Sequence, residues 1–422
     1  MLYDLVIVGA GVSGIFTALS SLEKNPQIKV CILEAGPSLS ERKNSHISSG
    51  FGGLGISEGK YNLSTKFGGN LEDKLGKRNA EAYLKRLEVY LDRFGGEASP
   101  YYETKVYEPK GTSQITFLEN RTKHLGRSLS RILYENIYNY LEKKVDFYFM
   151  SELKDIDKIS DIFKVKTNKS TFLTRKLVIA TGNNSELVDT LRKKFSLELG
   201  LARVDFGLRI EMSEEQLEEI LAENMEVKMF YKDYYTYCMN KFGNVISKFL
   251  DDYHLADGQN YLEAEKSDKL NFCLFKPYYF SNYKDRKKYL DLMMRKINSS
   301  PSKLVGSLLG EFDKSYKVKK YLSPSLDYQE VNLADYLPDD YLKGAGEFFR
   351  ELNKLLDKNL DGYTHLYALD MKIYGQSIKT NEKLQSKIKD LYFVGDCSGV
   401  SSSLSHAGAS GIYLGDILEF EI

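Results

Sequence analysis

Residues 2–8 read LYDLVIV and run directly into Gly9-Ala10-Gly11-Val12-Ser13-Gly14. An unbroken apolar run of this length suits a strand buried on both faces of a parallel sheet. Small and apolar residues at 15–22 then suit a helix, and KVCIL at 29–33 suits a second strand ending at Glu34. Strand, glycines, helix, strand and acid in this order make a βαβ unit of the dinucleotide-binding kind. Gly9 permits a tight turn, Gly11 lets backbone approach a pyrophosphate, and Gly14 lets helix and strand pack closely. The helix N-terminus offers unpaired N–H groups and the positive end of its dipole to phosphate, and Val12 and Ser13 of the glycine turn are expected cofactor contacts. Glu34 stands 20 residues beyond Gly14. With Ala35 beside it, that carboxylate is expected to accept hydrogen bonds from a ribose and to repel a 2′-phosphate.

A second match to the same glycine pattern occurs at Gly50-Phe51-Gly52-Gly53-Leu54-Gly55. Its surroundings differ. Asn44-Ser45-His46-Ile47-Ser48-Ser49 before it is polar, and Ile56-Ser57-Glu58-Gly59-Lys60 after it does not open an amphipathic helix. The match is therefore expected to be a glycine-rich loop and not a second nucleotide-binding unit. Without Cβ atoms such a loop can lie flat on a ligand and donate N–H groups to it. Gly52, Gly53 and Leu54 are expected to approach the cofactor; an ordinary surface loop is the competing reading.

The far end of the chain contains Leu391-Tyr392-Phe393-Val394-Gly395-Asp396, then a loop, then His406-Ala407-Gly408-Ala409-Ser410-Gly411 opening a terminal helix. Together with the N-terminal motif this resembles FAD-dependent oxidoreductases of the glutathione-reductase structural superfamily. The resemblance implies that Gly395 and Asp396 hold the ribityl chain of FAD. It also implies that the helix near Gly408 and Ala409 points at the flavin pyrimidine, where a helix N-terminus stabilises the negative charge of the reduced ring. Lys176-Leu177-Val178-Ile179-Ala180-Thr181-Gly182 resembles the strand by which that superfamily returns to its FAD domain, so Thr181 and Gly182 join the implied site. Residues 151–175 resemble the small meander inserted there, and Leu153 would meet adenine through its backbone.

The block GFGGLGISEGKYNLSTKFGG is similar to one in the bacterial, largely uncharacterised FAD-dependent dehydrogenases, as are His124-Leu125-Gly126, Phe206-Gly207-Leu208-Arg209-Ile210-Glu211 and Tyr237-Cys238-Met239-Asn240. The chain departs from that family where Asn240-Lys241-Phe242 replaces an expected Cys-Pro-Gly.

The implied fold class is α/β: a discontinuous Rossmann-like FAD-binding domain with an inserted α+β substrate domain. The expected boundaries are 1–190 for the first part, with a helical, glycine-rich insertion at about 45–125; 191–380 for the substrate domain; and 381–422 for the last part. Helices are expected at 79–94, 129–143, 213–223, 286–298 and 339–356, and strands at 146–150, 163–167, 204–211, 225–237 and 270–280.

Lys+Arg and Asp+Glu are both 59, so no global charge favours nucleic acid or an anionic membrane. The cysteines Cys31, Cys238, Cys273 and Cys397 include no C-x-x-C pair. A metal or dithiol centre is therefore not expected, and reduced thiols in a cytoplasmic setting are. No apolar run is long enough to span a bilayer. His406, at the junction of the last loop and helix, is the first choice for proton transfer, against a purely structural histidine. Lys60 and Arg209 are possible holders of an anionic substrate, against ordinary exposed salt bridges. Cys238 reads as a small hydrophobe, and Cys397 has no partner thiol nearby. The expected function is an FAD-dependent oxidoreductase, a dehydrogenase or reductase, acting on a small organic molecule. A donor such as NADH or NADPH would bind only transiently. The alternative is a non-catalytic flavoprotein whose FAD supports a partner-binding domain.

Overall fold

A computed structural model describes residues 1–43, 46, 48–57, 59–108, 111–224, 226–250, 253–259, 265–299 and 304–420. Asn44, Ser45, Ile47 and Glu58 of the glycine-rich passage lie outside the described residues, as does Met225, the expected start of a strand. The chain divides into two units: residues 1–103, 120–201 and 375–422, and residues 104–119 and 202–374.

The first unit is built on β1 (Leu2–Val8), α1 (Val12–Lys24) and β2 (Val30–Leu33). It continues through α2 (Lys77–Arg93), α3 (Gly126–Leu141) and β3 (Val145–Tyr148). Then come β4 (Leu153–Ile159), β5 (Ile162–Thr167) and β6 (Thr171–Ile179). The strands β3, β2, β1 and β6 are parallel neighbours in that order. The far edge of β6 is shared. Its first half, Thr171 to Thr174, pairs antiparallel with β5, and Leu177 to Ile179 pair parallel with the C-terminal strand Leu391–Phe393. Strand order therefore reverses between β1 and β6, and in open α/β sheets ligands bind outside the carboxyl ends at such a point.

The last helix, Leu404–Ile417, packs along α1, which is buried from Val12 to Leu22. Two glycines permit this approach. A Cβ on Gly411 would lie 2.4 Å from the Ser13 carbonyl oxygen, and one on Gly415 would lie 2.6 Å from that of Thr17. Both ends of the chain thus meet at one helix pair.

The second unit is an eight-stranded, mainly antiparallel sheet. Its centre is β7 (Ala202–Ser213), β8 (Tyr234–Lys241), β11 (Lys269–Phe280) and β12 (His365–Ile373), in the order β12-β7-β11-β8. A separate hairpin, β9 (Asn244–Leu250) with β10 (Tyr253–Gln259), also belongs to it. Even-numbered residues of β7, such as Val204, Phe206, Leu208, Ile210 and Met212, enter a core with helices α4 (Tyr283–Ile297) and α5 (Asp339–Leu356). The period-2 alternation of the strand and the helical spacing of apolar residues in α5 bring this about.

The unit boundaries at 201/202 and 374/375 differ from the expected 190/191 and 380/381. Residues 104–119 also join the second unit, because Thr116 and Phe117 pair with the strand Met229–Tyr231. The helix expected at 213–223 is one short turn at Glu214–Leu217 followed by Glu218–Leu221.

Candidate functional site

The β1–α1 turn is set by Gly9, whose φ of +110° is costly for any residue with a Cβ. A Cβ there would also stand 2.4 Å from the Ala180 carbonyl oxygen. The turn therefore lies against the end of β6, held by the Ala180 N–H donating to the Val8 carbonyl at 2.8 Å. α1 begins at Gly11 with no side-chain cap and no acid in its first turn. A Cβ built on Gly11 meets nothing within 4 Å among the described residues. An uncapped helix N-terminus facing open space offers first-turn N–H groups to an anion. Across the switch point, Thr181 Oγ1 is buried without a partner among the described residues, and Gly182, at φ +60°, has open space around its would-be Cβ.

Glu34 is buried and accepts three backbone hydrogen bonds. Oε2 accepts from Ala10 N–H at 2.8 Å, and Oε1 accepts from Gly36 N–H at 2.7 Å and Gly50 N–H at 3.0 Å. A carboxylate has about four lone-pair positions, so among the described residues one on Oε2 is left for a sugar hydroxyl. The Gly50 contact ties the glycine-rich loop to the end of β2. The loop also docks on the N-terminal turn, since Gly52 N–H donates to the Ala10 carbonyl at 2.8 Å. A Cβ on Gly53 would stand 3.2 Å from Gly11 Cα. Arg42 braces the loop from outside: Nη1 donates to the Phe51 carbonyl at 2.6 Å and Nη2 to that of Gly53 at 2.7 Å. Burial pulls the Arg42 guanidinium below its ordinary value, and the Glu34 carboxylate opposes that shift.

The opposite end of the same passage docks on the C-terminal loop. Asn70 N–H donates to the Val400 carbonyl at 3.0 Å, and Ser402 N–H to the Gly68 carbonyl at 2.7 Å. Gly68 and Gly69 adopt φ of +109° and +137°, and a Cβ on either would collide with Ser403 or with the Val400–Ser401 backbone. The C-terminal loop in turn reaches α1, because a Cβ on Gly395 would lie 2.6 Å from Ser13 Oγ. Asp396, half-buried in the turn Gly395–Ser398, accepts a hydrogen bond from Ser401 Oγ. Residues 50–70 therefore connect the two loops from which a cofactor site was expected.

His406 is fully buried. Its Nε2 lies 2.9 Å from the Ser64 carbonyl oxygen, so that nitrogen carries the proton, and Nδ1 has no partner among the described residues. Burial lowers its pKa and the Ser64 carbonyl opposes the shift. The neutral ring joins the glycine-rich passage to the last helix.

The remaining expected residues separate into groups. Gly9, Gly11, Val12, Ser13, Gly14, Thr181, Gly182, Gly395 and Asp396 belong to the switch-point loops. Gly14 lies against the Gly9 carbonyl oxygen, 2.1 Å from its would-be Cβ. Gly52 and Gly53 face that turn, whereas Leu54 is 48% exposed. Ala35 is exposed, and Leu153 begins β4 paired with Thr167. Gly408 faces Leu87 and Phe16, and Ala409 is fully buried, as helix packing requires. Sequence reasoning missed Arg42 and Ser64. A lone arginine eight residues beyond Glu34 gives no local signal, and a backbone carbonyl gives none at all.

Among the described residues no group of three or more His, Cys, Asp or Glu could hold a metal ion. Among them, too, no helix is long and apolar enough to cross a membrane.

No family model and no curated protein matches the chain. Solved structures similar to it include the Diels-Alderase PyrE3 of pyrroindomycin biosynthesis, at 12% identity and a TM-score of 0.35, covering 97% of this chain and 63% of that one. Another is pqsL, a probable FAD-dependent monooxygenase from Pseudomonas aeruginosa, at 12% identity and a TM-score of 0.40, covering 98% and 84%. The E. coli quinol fumarate reductase subunit FrdA is similar at 14% identity and a TM-score of 0.41, covering 99% and 69%. The chain thus spans less than two thirds of the first of these. Likenesses this remote leave the activity to be argued from this chain's own geometry.

Proposed function

We propose that the first unit binds FAD and that the protein is an FAD-dependent oxidoreductase acting on a small organic substrate. The observation that carries this reading is the meeting of the Gly395–Asp396 turn with the first turn of α1, Ser13 Oγ lying 2.6 Å from the would-be Cβ of Gly395. A single extended ligand is thereby offered an uncapped helix N-terminus, a free lone pair on Glu34 and a half-buried carboxylate at Asp396. An adenine dinucleotide with a diphosphate, a ribose and a polyhydroxyl chain has matching groups in matching order. Glu34 disfavours a 2′-phosphate, which speaks against NADP as the resident group.

When bound, FAD supplies the two-electron chemistry. The chain's own residues position it. α1 holds the diphosphate with backbone donors, Glu34 takes a ribose hydroxyl, and Asp396 takes the ribityl chain. Gly52 and Gly53 close over the diphosphate turn, pinned by Arg42. His406 serves as a positioning residue, since a neutral imidazole braced on Ser64 holds residues 64–70 to the last helix. NADH or NADPH is the proposed transient donor.

The test is reconstitution of the full-length protein with FAD, followed by anaerobic addition of NADH or NADPH. A yellow protein whose visible band bleaches with one donor supports the enzyme. A protein that stays colourless after incubation with excess FAD overturns the cofactor reading. Stable flavin that no donor or substrate reduces overturns the oxidoreductase reading alone.

A further inference from the structure

The second unit contains a buried polar centre that the cofactor reading does not use. On β7 the odd-numbered Asp205, Arg209 and Glu211 face away from the apolar core, yet all three are fully buried. Asp205 is satisfied by Arg203 at 2.7 and 2.8 Å, Tyr235 at 2.5 Å and Tyr374 at 2.6 Å. Glu211 accepts from Ser325 N–H at 2.9 Å, from Tyr367 at 2.6 Å and from Ser325 Oγ.

Arg209 is different. Nη2 donates to the Cys238 carbonyl at 2.9 Å and to Asn271 Oδ1, while among the described residues Nη1 reaches only Asp370, at 3.4 Å. Its Nε is buried with no partner among the described residues. Asn271 Oδ1 also accepts from Asn240 at 3.2 Å, which fixes the amide orientation. That leaves Asn271 Nδ2 likewise buried and unpaired. Among the described residues, two donors on neighbouring, fully buried side chains thus lack an acceptor, and buried donors are seldom left so.

The local backbone is built around this centre. Pairing between β7 and β12 shifts register between Gly207 and Arg209, and pairing between β8 and β11 shifts between Tyr237 and Asn240. Such bulges re-aim side chains and recur beside functional sites. Cys238, in the second bulge, has a φ of +49°. Above the guanidinium lies β10 of the hairpin, where a Cβ on Gly258 would stand 1.5 Å from Arg209 Nη2. Only glycine lets that strand lie so close.

We propose that this centre is a binding site for a carboxylate-bearing ligand, whose two oxygens accept from Arg209 Nε and Asn271 Nδ2 beneath the hairpin. A planar monoanion with two acceptor oxygens matches two donors, as in Arg–carboxylate pairs. A dianion fits less well, because the cations Arg209 and Lys248 are opposed by Asp370 and Asp257, with Lys248 and Asp257 already 3.2 Å apart. Burial lifts Asp370 to about 6, with Arg209 and Lys248 opposing and Asp257 adding to the rise. The site can therefore take up a proton along with an anion.

The experiment is calorimetric titration of the full-length protein with acetate, benzoate and succinate, with chloride as the control. Wild type is expected to bind at least one carboxylate saturably. Asn271→Asp keeps the oxygen to which Arg209 and Asn240 donate but replaces the unpaired donor with an acceptor. It is expected to fold and to bind at least tenfold more weakly. Arg209→Lys keeps the charge, loses the Nε donor and is expected to behave in the same way. No saturable uptake by wild type, or undiminished affinity in whichever of these variants folds, overturns the proposal. Because the readout involves no flavin, this failure and failure of the cofactor reading are distinguishable.

Discussion

Gly11→Ala separates folding from cofactor binding. Gly11 has φ −78° and ψ −175°, extended backbone that alanine adopts without strain. Apart from its chain neighbours, a methyl group there meets no atom of the described residues within 4 Å. Alanine is worse than glycine as a helix N-cap, while removing a glycine lowers the entropy of the unfolded chain by about 0.4–1 kcal/mol. The two effects oppose each other, so net stability should change by only about 0.5 kcal/mol. The same methyl group lies in front of the uncapped N–H groups of α1. Losing one hydrogen bond to a charged group, at about 1.5–3 kcal/mol, weakens FAD binding by roughly tenfold to about 150-fold. The control is Gly9→Ala, whose methyl would stand 2.4 Å from the Ala180 carbonyl oxygen at a φ of +110°. That variant should lose several kcal/mol of stability, on the order of the largest point-mutant effects. Thermal unfolding followed by circular dichroism, with FAD titration by quenching of flavin fluorescence, measures both quantities. A Gly11→Ala protein with wild-type FAD affinity would refute placement of the diphosphate at α1. A Gly11→Ala protein that is strongly destabilised would refute the open space in front of it.

Two further outcomes are expected. Glu34→Gln turns one acceptor oxygen into a donor facing either Ala10 N–H or the Gly36 and Gly50 N–H groups, so it should cost about 1–3 kcal/mol of stability and weaken FAD binding together. Equal melting temperatures and equal affinities would contradict the Glu34 clamp. Asp370→Asn tests the second unit through pH. Burial raises Asp370 from 3.8 to about 6, so the native state favours the neutral acid. That contribution, about 3 kcal/mol, is fully present below the unfolded value of about 3.9 and is lost as pH rises through about 6. The amide does not titrate, so the variant should gain on wild type between about pH 4 and about pH 7. Parallel stability curves in denaturant across that range would contradict the buried, raised carboxyl.

Much of the backbone of the proposed cofactor site could be read from local pattern, because each of its parts is a short-range device. The apolar run 2–8, the glycines at 9, 11 and 14 and the acid at 34 specify a strand, a turn and a helix whose dimensions leave little choice of geometry. The same holds for α5, whose expected span 339–356 agrees with Asp339–Leu356. Local pattern also showed that Gly50–Gly55 does not open a second βαβ unit, since strand and helix signals are missing on either side. It could not show where that passage goes. Gly50 meets Glu34 and Asn70 meets Val400 through backbone groups, which every sequence possesses and no residue type advertises.

What the amino-acid order determined alone was therefore the strand, turn and helix on which the proposed ligand grips rest, since these depend on residues adjacent in sequence. What only the tertiary structure decided was that residues 50–70 connect those grips, that His406 is sealed against the Ser64 carbonyl, and that Arg209 is buried beneath Gly258 with a donor to spare. These depend on contacts across tens to hundreds of residues. There, burial and the completeness of hydrogen bonding, not residue identity, assign a side chain its role.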